Sequence, residues 1–283
     1  MRGNTLVHTE RAQHEPFQLE ARPQPQQQAI SLESLKAAGS RRLPGRSFIQ
    51  DAVSDQLILA RANMIGLSDE KLLAAEQYKL LCTRILEVAR QQRSKVFLVT
   101  SALAEEGKTL TSMNIAYGLS RVMGKRILLV ELDMRRPSMR GLLGIHSVPS
   151  EVGFLESSEN WHTLLWQLHQ NLDALIALNP STQPDELIQG KQLPGVLMEA
   201  RAEYDLIIVD SAPLLVASDT HALLPMVDHA LMVVRANQTP INCAQDALAI
   251  LGNKALGCVL NDLRKVKYQE HYSRYYIGGS SDD

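Results

Sequence analysis

Apolar positions along this chain follow two periods, and the change from one to the other lies near residue 95. Leu72, Leu73, Leu80, Leu81, Ile85, Leu86 and Val88 recur at three- and four-residue spacing, the signature of one helix face. Ser68 supplies an N-cap, and Asp69 and Glu70 place carboxylates where the helix dipole favours them. The spacing predicts one long helix ending near Arg90, whose stripe must pack on a neighbour. Beyond it come short apolar runs at 96–100, 127–130, 206–209, 230–234 and 258–260, which read as parallel strands buried on both faces. Amphipathic stretches at 109–122, 192–203, 217–226 and 241–252 lie between them. Strand and helix in alternation require right-handed crossovers and an α/β fold, a doubly wound, mostly parallel sheet with helices on both faces. Residues 139–203 are expected to form a longer helical excursion, with 172–177 a candidate further strand. Within it, the seven-residue spacing of His162 and His169 beside Trp161 and Trp166 predicts a packing face on one helix, with no thiol or carboxylate cluster to make a metal site.

The ends read differently. Residues 1–46 are rich in Gln, Pro, Arg and Ser without an apolar period, which predicts a flexible polar arm. The expected order is therefore this arm, a helical region at 47–94, an α/β domain at 95–262 and a polar tail at 263–283. With 45% hydrophobic and 21% charged residues and a net charge of −2, the chain is neither disordered throughout nor basic enough for nonspecific nucleic-acid binding. Three widely spaced cysteines argue against a disulfide framework and for a reducing compartment. No apolar run approaches the roughly 20 residues that span a bilayer, and the first residues carry no secretion signal; the expected location is cytoplasmic.

The chemistry concentrates at strand ends. Residues 102–109, Ala-Leu-Ala-Glu-Glu-Gly-Lys-Thr, follow the first strand and open a helix, the arrangement of a phosphate loop. Backbone amides from Glu106, Gly107, Lys108, Thr109 and Leu110 would cradle phosphates, Lys108 would reach the β- and γ-phosphates, and the Thr109 hydroxyl would ligate Mg²⁺. Ala102 and Glu105 stand where such loops usually carry glycine, so the Glu105 carboxylate must point outward. Asp210, after the apolar run 206–209, reads as the Walker B aspartate that holds the metal directly or through water. Glu131 and Asp133, at i and i+2 of a third strand end, are expected on one face toward the nucleotide, one serving the Mg²⁺ shell and the other accepting a proton. Sequence alone does not say which is the base. Arg135 and Arg136 follow, as phosphate ligands or contacts to another subunit.

Taken together, the phosphate loop, residues 128–137 and the strand end at 210–213 resemble the bacterial tyrosine kinases, P-loop autokinases of capsule and exopolysaccharide assembly, and most of all their exosortase-associated branch. In that family the middle motif usually reads Asp-x-Asp-x-Arg; here Glu131 takes its first position. The resemblance implies ATP and Mg²⁺ as cofactors, Lys108, Glu131, Asp133 and Arg135 as catalytic groups, and Thr109, Asp133 and Asp210 as metal ligands. It also implies that Tyr268, Tyr272, Tyr275 and Tyr276 in the tail are phosphoacceptors for a neighbouring copy, in a homo-oligomer. A membrane adaptor of the polysaccharide co-polymerase type would recruit the kinase to the inner face of the cell membrane. Glu76, Lys79 and Cys82 occupy the place of the family's Glu-x-x-Arg-x-x-Arg ring-forming helix, and only Glu76 matches fully. Two alternatives share the fold: a septum-site or partition-type ATPase, which normally carries a second lysine where Ala102 and Leu103 stand, and a nucleotide-binding scaffold without catalysis.

Overall fold

The computed structural model describes residues 73–145, 153–157 and 160–262. Helix α1 (Leu73–Gln92) leads into β1 (Val96–Ser101), α2 (Lys108–Tyr117), β2 (Ile127–Glu131) and the short α3 (Met139–Leu143). Then follow β3 (Trp166–His169), β4 (Leu172–Leu175), α4 (Pro184–Gln189), α5 (Gln192–Glu203), β5 (Leu206–Asp210), α6 (Ser218–Leu223), β6 (His229–Arg235), α7 (Ile241–Leu251) and β7 (Ala255–Asn261). The strands form one seven-stranded sheet in the order β3-β4-β2-β5-β1-β6-β7, parallel except for the β3–β4 pair.

The strands are apolar throughout because alternate residues feed two cores. Phe97 and Val99 of β1, Ile127 and Leu129 of β2, and Leu206 and Ile208 of β5 join the core under α1 and α2. Val96, Leu98, Leu128, Val130, Ile207 and Val209 face the opposite core, with α5 and α7. The α1 stripe contributes Ala75, Cys82, Ile85 and Val88 to the first core, so this helix packs on the same sheet as the phosphate-loop helix.

The excursion at 139–203 is not helical throughout. A 3₁₀ turn at Trp161–Leu164 is followed by the antiparallel hairpin β3–β4. The seven-residue spacing of the histidines misled because residues 166–169 obey period two: Trp166 and Leu168 are buried, whereas Gln167 and His169 are half-buried. His162 lies in the 3₁₀ turn, its Nε2 2.7 Å from Glu203 Oε1, and His169 ends a strand. The predicted N-cap Ser68, the polar arm and the tail lie outside the described residues.

Candidate active site

The strand order brings the C-terminal ends of β1, β2 and β5 side by side, and the cleft of about 460 Å³ at that edge is where an open α/β sheet receives ligands. Gly107 caps α2 in the left-handed region, with φ of 90°, and no side chain caps the helix. The first-turn amides of Lys108, Thr109 and Leu110 are thus available to an anion at the positive end of the helix dipole. Glu105 is exposed, with φ of 61°. Left-handed backbone in a non-glycine residue costs on the order of 1 kcal/mol, and the loop is held from outside. Asn261 Nδ2 donates to the Glu106 carbonyl at 3.0 Å, and Arg235 Nη1 to that of Glu105 at 3.4 Å. The buried Glu106 carboxylate accepts from Leu103 N at 3.0 Å and from the Thr239 hydroxyl. A Cβ on Gly107 would stand 2.0 Å from Asn261 Nδ2 and displace it from the Glu106 carbonyl, so this glycine, favoured by φ, also leaves room for that support.

Four ionisable groups meet below the loop. Lys108 Nζ lies 2.7 Å from Asp133 Oδ2; an ammonium has three donors, so two remain for phosphate. Burial works against the Lys108 charge, but Asp210, Asp133 and, less strongly, Glu131 hold its pKa above the ordinary value. Asp210 is fully buried and neither carboxylate oxygen has a hydrogen-bond partner. Burial pushes its pKa up to about 6, against the Lys108 charge and the Thr109 and Ser112 hydroxyls, which lie near it without meeting hydrogen-bond geometry. A buried, unpartnered carboxylate is costly unless something completes it. Hard oxygens from Asp210 and Thr109 beside Asp133 suit Mg²⁺. The residues therefore fit a Mg²⁺–nucleotide.

Glu131 and Asp133 do not share a face. Glu131 is the last residue of β2 and pairs in register with Asp210. Its Oε1 accepts from the amides of Ser138 at 2.6 Å and Met139 at 2.8 Å, and its Oε2 from Ala177 at 3.2 Å. Burial raises its pKa to about 8 despite those amides, with Asp210 adding to the rise. Asp133, beyond the strand, faces Lys108 and caps the Arg136 amide at 3.1 Å. Sequence reasoning missed the loop's supports, Thr239 and Asn261, and the acids that meet Arg135, Asp185 and Asp219. The signal was present only as a Thr in the turn after β6 and an Asn at the end of β7. Tyr268, Tyr272, Tyr275 and Tyr276 lie outside the described residues. On α1, Glu76 pairs with Lys79 at 2.7 Å, and Cys82 is buried with Sγ 3.6 Å from the Ile115 carbonyl.

A family model described as an AAA domain matches residues 94–255. The tyrosine-protein kinase CpsD of Streptococcus pneumoniae is 31% identical over 195 residues, 67% of this chain and 85% of that protein. The chain belongs to the bacterial tyrosine kinases. Tyrosine-protein kinase YwqD of Bacillus subtilis is 28% identical over 218 residues, covering 74% of this chain and 90% of the relative. The succinoglycan biosynthesis transport protein ExoP of Rhizobium meliloti is 27% identical over 249 residues, but this chain spans only 31% of its length. Among solved structures, the kinase domain of the Escherichia coli tyrosine kinase ETK superposes with a TM-score of 0.65 at 21% identity, over 72% of this chain and 81% of that one; that likeness establishes the fold, a P-loop α/β sheet. Among the described residues of this bacterial tyrosine kinase, no helix is long and apolar enough to cross a membrane.

Proposed function

We propose that this chain is an ATP-dependent protein-tyrosine autokinase that phosphorylates Tyr268, Tyr272, Tyr275 and Tyr276 of a neighbouring copy, and so regulates polymerisation and export of an exopolysaccharide or capsule polymer. The observation that carries the reading is a buried carboxylate left without a partner, Asp210, in the same cleft as the Lys108–Asp133 pair. The first-turn amides and Lys108 hold the β- and γ-phosphates. Thr109 and Asp210 would hold Mg²⁺, which when bound would neutralise charge on those phosphates. Asp133 lines the cleft, whereas Glu131 does not and spends both oxygens on three amides, so the base in this reading is Asp133. It takes the tyrosyl proton as the new Oη–P bond forms and the bond from the γ-phosphorus to the departing ADP oxygen breaks.

The partners in this reading are a second copy of the chain and a membrane adaptor of the polysaccharide co-polymerase type, which brings the kinase to the inner face of the cell membrane. In this reading the chain falls in the exosortase-associated branch, the one its motifs most resemble. The test is incubation with Mg²⁺ and ATP, with and without a candidate adaptor fragment, beside Lys108→Met, with phosphate mapped on the tail peptides by mass spectrometry. Phosphotyrosine in the parent only is the expected result. Phosphate release with bare tails would select the ATPase; nucleotide binding with neither would select the scaffold.

A further inference from the structure

Two carboxylates outside the three motifs converge on the Arg135 side chain, which lines the cleft. Arg135 Nε lies 3.4 and 3.3 Å from the two oxygens of Asp219, and Nη2 3.0 Å from Asp185 Oδ2. The two acids are unequal. Asp185 is partly exposed and also accepts from the Ser218 hydroxyl at 2.8 Å, whereas Asp219 is 0% exposed. A carboxylate withdrawn wholly from water is unfavourable unless a cation meets it, and Arg135 is the cation that meets Asp219. A neighbouring side chain anchors this part of α6: Thr220 donates from Oγ1 to the Ala212 carbonyl at 2.8 Å, two residues beyond Asp210. A guanidinium has five donors, so three stay without a protein partner among the described residues, on a side chain 42% exposed at the cleft.

We propose that Asp219 is a positioning residue that holds the Arg135 guanidinium toward the phosphoryl group in transfer, with Asp185 as a weaker second support. The pair ties the loop after β2 to the first turn of α6, which follows the cleft wall formed after β5. The inference rests on the phosphoryl-transfer reading above. An arginine held ready stabilises charge that appears only in the transition state, so its orientation should matter more for the transferring group than for nucleotide affinity.

The test compares binding of Mg²⁺·ADP with binding of Mg²⁺·ADP plus aluminium fluoride, a mimic of the group in transfer, in the parent and in Asp219→Asn, Arg135→Ala and the double variant. Asp219→Asn and Arg135→Ala should each weaken the aluminium fluoride complex by about tenfold or more while changing ADP affinity less than about threefold, and the double variant should be no worse than Arg135→Ala. Equal losses for both ligands, no loss in Asp219→Asn, losses that multiply in the double variant, or a parent that gains nothing from aluminium fluoride would each overturn the proposal. Should Asp219→Asn not fold, Arg135→Lys keeps a charge for Asp219 but loses the fork; its preference for the mimic should drop by about tenfold, and an unchanged preference would overturn the proposal. Because neither ligand needs a tyrosine, bare tails would sink the autokinase reading without deciding this one.

Discussion

Asp228 and Asp210 are carboxylates at opposite ends of the same sheet, and their surroundings differ in one respect that separates a structural acid from a functional one. Asp228, just before β6, accepts two bonds of 2.9 Å from Arg201, one of 2.6 Å from Lys95 N and one of 2.8 Å from Val96 N. Burial opposes its charge, but the Arg201 fork and the two amides hold it below the usual carboxylate range. Asp210, at the end of β5, has no hydrogen-bond partner and is pushed up to about 6. The protein meets the Asp228 charge with its own donors and leaves the two Asp210 oxygens without one. The difference teaches where stability is surrendered for binding.

The largest effect should come from Asp210→Asn. Phosphotyrosine formation should fall by about 10²-fold or more, while the nucleotide-free protein gains on the order of 1 kcal/mol, because a buried charge is removed. Denaturant melts with and without Mg²⁺·ATP read both quantities, and a less stable variant would break the comparison. Asp228→Asn should do the reverse: stability lost by about 2 kcal/mol, with ATP affinity unaltered in a binding titration.

Acidity sharpens the contrast, because the two groups shift in opposite senses. Asp228, depressed in the folded state, stabilises fully above the unfolded value of 3.8, and that contribution disappears as pH falls through its folded value. For Asp210 the folded state binds the extra proton between 3.8 and about 6, so its contribution declines as pH rises across that window. Melts of the nucleotide-free protein from pH 3 to 8 should therefore show Asp210→Asn gaining on the parent as pH climbs, and Asp228→Asn converging on it at the acid end. The smallest effect expected is a gain of about 1 kcal/mol in Glu105→Gly, from relief of the left-handed backbone, read in the same melts; an unchanged midpoint would mean that the Arg235 and Asn261 bonds already offset the strain.

Much of the sheet was legible because its strands are short apolar runs buried on both faces. β1, β2, β5 and β6 begin or end within a residue or two of the runs read at 96–100, 127–130, 206–209 and 230–234, and α5 matches the stretch 192–203. β3 was illegible because four residues with two tryptophans nearby satisfy helix and strand spacing alike. In the cleft, the positions of Lys108 and Thr109 at a helix start and of Asp210 at a strand end were legible from local motifs whose order follows the backbone. Glu131 was misjudged in direction: an i, i+2 pair shares a face only while the strand continues, and β2 ends at Glu131.

Sequence alone determined the layers, the phosphate loop and the family pattern, since these depend on periodicity and on residues within a dozen positions of one another. Tertiary structure decided which charges meet. Arg135 stands 84 positions from Asp219, Glu106 133 from Thr239 and Glu106 155 from Asn261; no local spacing encodes such pairs. They exist because the strand order places β2, β5, β1, β6 and β7 next to one another. Burial, which only the packed chain sets, then gives identical side chains such as Asp210 and Asp228 opposite electrostatic fates.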